Sequence, residues 1–328
     1  MSINRRSFSA IAAVTLAQTS AWAQQEWPSK PIRIIVPYPV GGNADSAARA
    51  YGEIVSAALK QPVIVDNRPG ASSIIGSDAV AKAAPDGYTI GVVSDSHAIN
   101  HAMAQLPKAA DILGAKVPYD ARKDFTPVGG MILVPLVLVT HPSVPAKNVK
   151  ELVELSTKQK GVNFGTMGTG SPWFIHMHQL NNLTHGTFVD VPYKGLAPAA
   201  TDLLGGQIQA MVMPIHYAQQ QIRAGKLNAL ATLETQRHPL LPEVPTLAES
   251  GYPGLAISNY LYFVAPAGTP KAVISKLERE FNAAARQPAM KDKLGASGDP
   301  YPATSTELSA RLNRDIDAYG AVIKTTIK

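Results

Sequence analysis

The chain has 328 residues, of which 45% are hydrophobic and 16% are charged. This composition is typical of a globular α/β protein with a large core, and it excludes a disordered chain. The formal net charge of +6 mildly favours anionic ligands. No stripe of Lys and Arg with interleaved aromatic residues accompanies this charge, so the composition does not indicate nucleic-acid binding.

Residues 1–23 are predicted to be an export signal. Arg5-Arg6 gives a basic start, residues 10–17 a short apolar core, and Ala21-Trp22-Ala23 a small-x-small cleavage site. The arginine pair leaves open whether export follows the twin-arginine or the general secretory route. Because the chain contains no cysteine, it has no site for a lipid-modified cysteine. We therefore expect a free periplasmic protein that is cleaved after Ala23.

The next part of the chain alternates between strands and helices. Strands are predicted at 32–36, 62–66 and 88–93, with helices following the first two. This alternation is typical of a parallel, doubly wound sheet. Ligands of such sheets lie beyond the carboxyl ends of the strands. The loops at Tyr38, Asn67 and Ser94 fall at those ends.

The pattern changes around residues 119–127 and then starts again. Met131–Thr140 is an apolar run long enough to pass from one domain to another, and a second series of helices and strands follows from Lys147. A strand at 260–265 and helices at 271–286 and 305–324 are expected to return to the first unit. The sequence thus predicts two α/β domains, with bounds at 24–128 together with 258–328 for domain 1, and 129–257 for domain 2.

Two glycine-rich loops lead from a strand into a helix. In Val36–Arg49, prolines stop the strand, and Gly41 and Gly42 let the backbone approach another group closely. In the second loop, Gly165–Pro172, Ser171 is a suitable N-cap and Pro172 suits the first helical position. A helix N-terminus with free N–H groups favours anions, so the pair suits a carboxylate ligand. The alternative is that these loops only turn the chain between strand and helix.

Motifs for catalysis or metal binding are weak. The sequence has no Gly-x-Ser-x-Gly elbow, phosphate loop, dinucleotide fingerprint or His-Glu-x-x-His motif. His97 and His101 could share a helix face as metal ligands, but no third ligand lies nearby. Ser171 with His176 could form a nucleophile and base, again without a third member. We predict no cofactor, no metal and no catalytic residue.

Aromatic and histidine side chains follow the second loop. Trp173 and Phe174 open the helix and are either core residues or an aromatic wall of a ligand site. His176 and His178 are two residues apart, so both cannot face one site on a helix. Whether either of them, or His97 or His101, reaches a cleft stays open.

Motifs spread along the chain resemble one known family. The chain is similar to the Bug (Bordetella uptake gene) or TctC-like proteins, which are the extracytoplasmic solute-binding receptors of tripartite tricarboxylate transporters. The resemblance is carried by these segments: Trp27–Pro31, Val36–Arg49, Asp66–Gly70, Pro85–Thr89, Tyr119-Asp120, Val191–Gly195, Asp202–Gly206, Pro242–Thr246 and Ala265–Pro270.

The resemblance implies a two-domain periplasmic-binding-protein (Venus-flytrap) fold, in which each domain is a mostly parallel sheet flanked by helices. It also implies a monomer that closes on a small organic acid and delivers it to permease subunits of the TctA/TctB type. The ligand-binding residues carried over or placed beside these loops are Tyr38, Pro39, Val40, Gly41, Gly42, Asp45, Thr166, Gly168, Thr169, Ser171, Trp173, Phe174, Tyr193 and Lys194.

Departures from the family pattern bear on the ligand. Val40 stands where the family often has proline, and Phe174 where it usually has histidine. Amino-acid binders of the family tend to place an acid after the strand where this chain has Met213-Pro214. Without that carboxylate an ammonium group would have no partner. We therefore expect a di- or tricarboxylate without an amine, with an aromatic acid left open.

Two other functions stay open at this point. A periplasmic hydrolase of carboxylate esters or amides would use Ser171, and a sensory receptor would present the bound ligand to another protein. The sequence does not separate sensing from transport, because both use the same clamp.

Overall fold

The structure is a computed structural model that describes residues 27–159, 161–169, 171–253 and 258–327. The predicted export signal lies outside these residues. The strands are β1 (Ile32–Val36), β2 (Val63–Asn67), β3 (Thr89–Ser94), β4 (Phe125–Thr140), β5 (Val162–Thr166), β6 (Phe188–Pro192), β7 (Ala210–Pro214), β8 (Asn228–Thr232), β9 (Ser258–Pro266) and β10 (Asp299–Pro300). The helices are α1 (Asn43–Leu59), α2 (Ile74–Ala81), α3 (Asp95–Met103), α4 (Ala109–Leu113), α5 (Val149–Lys158), α6 (Pro172–Thr184), α7 (Leu196–Leu204), α8 (Ile215–Arg223), α9 (Lys271–Ala285), α10 (Pro288–Leu294) and α11 (Ser305–Thr326).

The strands form one mixed sheet in the order β2-β1-β3-β9-β4-β7-β5-β6, and β8 and β10 also pair with β4. The triplets β1–β3 and β5–β7 contain the parallel pairs that the alternating pattern predicts, with β1 and β5 in the middle. The strands β4 and β9 pair antiparallel with their neighbours. The sheet is therefore less uniformly parallel than expected, because β9 runs against the first triplet and β4 runs against the second.

Strand β4 connects two groups of strands. We call β1–β3, β9 and β10 the first strand group and β5–β8 the second strand group. Its residues are buried with two exceptions, and since neighbouring side chains of a strand point to opposite faces, both faces are covered. Phe125–Pro135 pairs with β9, whereas Leu136–Thr140 pairs with β7 and β8. The apolar run predicted to pass between domains is thus a single strand. The change of partner follows Pro135, whereas the predicted boundary at 128–129 lies inside the first half of β4.

The core consists of two clusters of buried side chains. In one, the rings of Phe263 and Phe281 lie 4.0 Å apart and Tyr51 lies 5.4 Å from Phe263. These residues come from β9, α9 and α1, so the C-terminal part packs on the first strand group. Helix α11 packs on α3 and also reaches α6. No helix in the described residues is both long and apolar enough to cross a membrane.

Helices α3, α4 and α10 were not predicted from the sequence. Helix α3 begins directly at the end of β3, where Ser94 caps it by accepting the Ser96 N–H. Helices α4 and α10 contain five and seven residues. A helix shorter than two turns has too few residues to show a clear apolar periodicity.

Candidate functional site

The first loop joins β1 to α1. Gly41 has φ +81°, a conformation that residues with a Cβ atom rarely adopt. Its N–H donates to Asp45 Oδ2 at 2.9 Å, and the Gly42 N–H points to the Pro39 carbonyl at 3.4 Å. The N–H groups of Asn43 and Ala44 have no partner within the described chain. The unpaired amides are therefore in the first turn of α1, immediately after the two glycines.

Asp45 stabilises this loop from inside. The residue is 3% exposed, and its Oδ1 forms an ion pair with Arg49 at 2.9 Å. Burial alone would raise the pKa of Asp45, but the hydrogen bonds from Arg49 and the Gly41 N–H outweigh it and hold the pKa below its ordinary value. The contact with Gly41 ties the loop to α1, whereas the pair with Arg49 lies within the helix. The structure thus assigns Asp45 a supporting role and shows it turned away from solvent.

A cluster of four hydroxyl groups lies at the carboxyl ends of the first three strands. The Tyr38 hydroxyl donates to Ser94 Oγ at 2.7 Å and lies 3.3 Å from Ser96 Oγ. Ser96 Oγ lies 2.8 Å from Ser94 Oγ and 3.3 Å from Ser73 Oγ. Burial raises the pKa of Tyr38, so its hydroxyl stays protonated. We call Tyr38, Ser73, Ser94 and Ser96 the hydroxyl cluster.

The turn before α2 has an unusual backbone. Ala71, Ser72 and Ser73 have φ values of 46°, 51° and 73°. A left-handed conformation costs roughly 1–2 kcal/mol for each such residue. The Asn100 amide of α3, buried in the core, donates to the Ser72 carbonyl at 2.8 Å. Helix α3 therefore holds the strained turn that places Ser73 in the hydroxyl cluster.

The second loop joins β5 to α6, with Gly170 outside the described residues. Ser171 caps α6 by accepting the Phe174 N–H at 3.2 Å, and Pro172 takes the first helical position. Both features were predicted from the sequence. Gly168 has φ +84° and donates its N–H to Thr166 Oγ1 at 3.0 Å. Thr169 is exposed beside it.

Thr166 connects this loop to the next strand. It is fully buried, and its hydroxyl donates to Asp190. Its carbonyl accepts the Tyr193 N–H at 2.9 Å, and the Tyr193 hydroxyl donates to Asp202 at 2.8 Å. Lys194 is exposed next to Tyr193. Thr166 thus holds the loop together, while Gly168, Thr169, Ser171 and Lys194 are the predicted residues on its accessible side.

The two aromatic residues after the second loop have different positions. Phe174 is 7% exposed and belongs to the same core cluster as Val322 and Ile323 of α11. Its ring centre lies 4.5 Å from that of His178. Trp173 is half-buried, with no partner for Nε1 in the described chain. Of the two alternatives from the sequence, packing in the core describes Phe174, whereas Trp173 keeps an accessible edge.

The histidines do not form a centre for catalysis or metal binding in the described chain. His97 packs its ring on Tyr119 and Phe125, and neither ring nitrogen has a partner there. Burial lowers the pKa of His97 to about 3. His176 is equally buried and also without partners, and burial lowers its pKa to about 3. Among the described residues no three His, Cys, Asp or Glu side chains are placed to hold a metal ion.

The hydroxyl cluster and the second loop lie at the starts of two neighbouring helices. Helix α3 begins within the hydroxyl cluster, α6 begins at the second loop, and the two helices pack together. Ile175 of α6 lies in the core cluster with Ala98 and Ile99 of α3. No hydrogen bond joins the two loops within the described residues. The hydroxyl cluster and the second loop thus lie at the starts of two helices that pack against each other.

Several candidate residues were missed by sequence reasoning. The serines Ser73, Ser94 and Ser96 belong to the hydroxyl cluster with Tyr38. The signal for two of them was present, since Ser94 and Ser96 directly follow the third predicted strand. By contrast, Val40 was predicted and lies at the loop tip, where its residue is 72% exposed.

These features define a two-domain α/β solute-binding protein: two strand groups share a long strand, and each carries a polar loop between a strand and a helix. The solved structures that match more than nine tenths of the chain include periplasmic binding proteins of the TctC type. The family model described as "Tripartite tricarboxylate transporter family receptor" matches residues 47–327. The chain therefore belongs to the TctC family.

Individual relatives agree with this assignment. BugT of Bordetella pertussis is 35% identical over 303 residues, covering 92% of this chain and 90% of BugT. The structure of R. palustris Rpa4515 with adipate is 28% identical, has a TM-score of 0.75, and the match covers 92% of this chain and 98% of Rpa4515. MatC from Rhodopseudomonas palustris, solved with bound malate, is 29% identical with a TM-score of 0.73, covering 90% and 100% of the two chains.

Proposed function

We propose that this protein is a periplasmic receptor that captures a small carboxylate between its two strand groups and delivers it to the membrane subunits of a tripartite tricarboxylate transporter. The observation that carries the proposal is that α3, which begins in the hydroxyl cluster, packs on α6, which begins at the second loop. One proposed donor set is the hydroxyl cluster with the amides of Asn43 and Ala44, and the other is the second loop. Adipate and malate, found with two relatives, each carry two carboxylates that could reach both sets.

We further propose that the ligand lacks an amine. Met213 and Pro214, at the end of β7, are both buried, so this position offers no carboxylate to pair with an ammonium group. Burying such a group without a partner is costly. Since Phe174 is packed in the core, an aliphatic di- or tricarboxylate suits the site better than a large aromatic acid.

The arrangement supports binding without chemistry. Ser171 Oγ accepts a backbone N–H as the cap of α6, and His176 has no hydrogen-bond partner in the described chain. A hydrolase would need these two groups paired with each other. The remaining parts of the proposal are removal of residues 1–23 on export, two domains with the predicted bounds, a monomeric state, and docking to TctA/TctB-type subunits.

A thermal-shift screen tests the ligand class. A ligand present at about 100 times its dissociation constant stabilises the fold by roughly 2.7 kcal/mol, which gives a clear rise in melting temperature. We expect adipate, malate or citrate to raise the melting temperature, and aspartate and glutamate to leave it unchanged. Isothermal titration then measures the affinity. Tighter binding of an amino acid than of every dicarboxylate would contradict the amine-free ligand, and no response to any acid would contradict the receptor function.

A further inference from the structure

Asp95 stands in the chain between two members of the hydroxyl cluster, Ser94 and Ser96. It is the first residue of α3 and is 2% exposed. Its Oδ1 accepts the Ser96 N–H at 3.1 Å, whereas Oδ2 is buried and has no hydrogen-bond partner within the described residues. An ionised carboxylate in such a place is costly unless it is paired. The proposed anion site thus has a buried acid directly against it.

Charges on α11 act on Asp95 in opposite directions. Arg311 favours the charged form of Asp95, whereas Asp315 disfavours it. Arg311 also has its guanidinium 3.6 Å from the centre of the Tyr260 ring, and its Nε lies 3.7 Å from Asp315. The Tyr262 hydroxyl is buried without a partner in the described chain. Tyr38, Tyr262 and Tyr319 also lie within electrostatic reach of Asp95. The other titratable or charged groups on α3 and on the elements packed against it are His97 and His101 of α3, Tyr260 of β9, Glu307, Arg314, Asp317 and Lys324 of α11, and His176 and His178 of α6.

This environment sets the protonation of Asp95. Burial raises the pKa of Asp95 to about 7, and Asp315 raises it further, against the opposing effects of Ser94, Arg311 and the Ser96 N–H. At neutral pH the side chain is therefore divided between its charged and neutral forms. An anion bound at the hydroxyl cluster would repel the charged form and favour the neutral one.

We infer that capture of a carboxylate at the hydroxyl cluster is coupled to the uptake of one proton by Asp95. This inference rests on the proposed function and adds a regulation to that site. The proton comes from the solvent, binds the carboxylate of Asp95 as the anion arrives, and returns to the solvent when the anion leaves. Asp95 need not touch the ligand, since a buried negative charge acts over several ångströms.

The coupling predicts how affinity depends on pH. Above about pH 7 each ligand must bring one proton with it, so the affinity falls by up to about tenfold for each pH unit. Below about pH 6 Asp95 is already neutral and the affinity becomes independent of this group. The Asp95→Asn variant keeps an acceptor for the Ser96 N–H but cannot ionise. Its affinity should therefore be free of this slope.

Isothermal titration with adipate, and with malate as a second probe, measures the coupling directly. We compare two buffers of different ionisation enthalpy at about pH 8, where wild-type Asp95 is mostly charged. The binding enthalpy of the wild type should differ between the two buffers by nearly the difference in their ionisation enthalpies. Such a difference corresponds to the uptake of nearly one proton per ligand. In Asp95→Asn the two heats should agree.

Glu234→Gln is the matched control. Burial also raises the pKa of Glu234 to about 7, but its Oε1 accepts the Leu136 N–H of β4 and it makes no hydrogen bond to the hydroxyl cluster within the described residues. This variant should take up the proton as the wild type does. Equal loss of proton uptake in both variants would assign the effect to a general change and overturn the role of Asp95.

A measurement without any ligand checks that Asp95 ionises inside the fold. A carboxyl whose folded pKa is raised gives its full stability below the unfolded pKa, and this stability is lost as pH rises through the folded pKa. Asp95→Asn should therefore raise the melting temperature at about pH 8 more than at about pH 5. If Asp95→Asn changed the melting temperature by the same amount at both pH values, the inference would be overturned.

The outcomes separate the inference from the function on which it rests. If adipate or malate binds with equal heats in both buffers, the coupling is wrong and the receptor function stands. If neither these acids nor any other carboxylate binds the wild-type protein, the proposed function fails and the inference fails with it.

Discussion

Tyr38 shows how one side chain joins the first loop to the end of the third strand. Its hydroxyl donates to Ser94 and lies against Ser96, while its carbonyl accepts from the Asn67 amide at 3.2 Å. These contacts connect the carboxyl ends of β1, β2 and β3. The side chain therefore fixes the relative positions of the groups proposed to hold one carboxylate.

Removing this hydroxyl gives the first prediction at the residue scale. Tyr38→Phe keeps the ring but loses the donor to Ser94, and one such hydrogen bond contributes about 1 kcal/mol. We expect stability to fall by about that amount and the affinity for the carboxylate to fall about tenfold, because the serine hydroxyls lose their anchor. Chemical denaturation and isothermal titration measure the two effects.

Tyr88→Phe is the control for this change. The Tyr88 hydroxyl accepts the Ser29 N–H at 2.9 Å, and Tyr88 lies at the opposite end of β3 from Ser94. This variant should lose stability but keep its affinity. An unchanged affinity in Tyr38→Phe would remove the hydroxyl cluster from the ligand site.

At the scale of elements, the strained turn before α2 depends on α3. Three successive residues with positive φ are unfavourable on their own, and the Asn100 amide holds their centre at the Ser72 carbonyl. The same helix carries Ser96 and Asp95. Helix α3 is therefore the element that arranges the first half of the candidate site, although its own sequence gave little sign of a helix.

Asn100→Ala tests this arrangement. The variant leaves the Ser72 carbonyl without its donor, and losing a buried partner costs about 1–3 kcal/mol. We expect lower stability, faster amide hydrogen exchange in residues 70–73, and weaker ligand binding. Denaturant unfolding, exchange and titration measure these three results.

Asn181→Ala provides a comparison in the second strand group. Asn181 makes two hydrogen bonds to the backbone of Phe188, at 2.8 and 3.1 Å. Its loss should lower stability by a similar amount without faster exchange in residues 70–73. If the amides of residues 70–73 exchanged equally fast in both variants, Asn100 would have no specific role in stabilising this turn.

At the scale of the whole molecule, the two strand groups are joined by more than β4. Asp299 of β10, which pairs with the first half of β4, accepts from His238 Nε2 at 3.1 Å and faces His216 Nε2 at 3.6 Å. The histidines belong to α8 and to the segment after β8. This carboxylate thus links the first strand group to the second beside the change of partner in β4.

The link predicts a pH-dependent stability. Burial alone would raise the pKa of Asp299, but His216 and His238 outweigh it and bring the pKa well below its ordinary value. Such a group stabilises the fold above its unfolded pKa of about 3.9, and this stability is lost as pH falls through the folded pKa. Asp299→Asn should cost about 1–3 kcal/mol near neutral pH. The difference from wild type should shrink in acid.

Urea unfolding at neutral and acidic pH measures this difference. Asp86→Asn is a suitable control, because Asp86 forms an exposed pair with Lys30 at 3.5 Å and surface pairs contribute at most about 1 kcal/mol. A cost for Asp299→Asn no greater than that of Asp86→Asn would show that the link adds nothing to the fold.

Local patterns in the sequence determined much of the fold. The apolar runs predicted most strands, the Ser171-Pro172 pair predicted the start of α6, and the long run at 131–140 predicted the strand that passes between the groups. These features depend on residues that are neighbours in the chain, so their physical cause lies in the local sequence. The two glycine-rich loops were found for the same reason.

Only the tertiary structure decided how these elements meet. The antiparallel insertion of β9 beside β3, the burial of Phe174 against α11, and the gathering of Ser73, Ser94 and Ser96 around Tyr38 join residues far apart in the chain. The same applies to Asp95, whose sequence neighbours are polar but whose surroundings are buried rings of β9 and α11. Burial and charge at a site are set by such distant contacts, which no local pattern encodes.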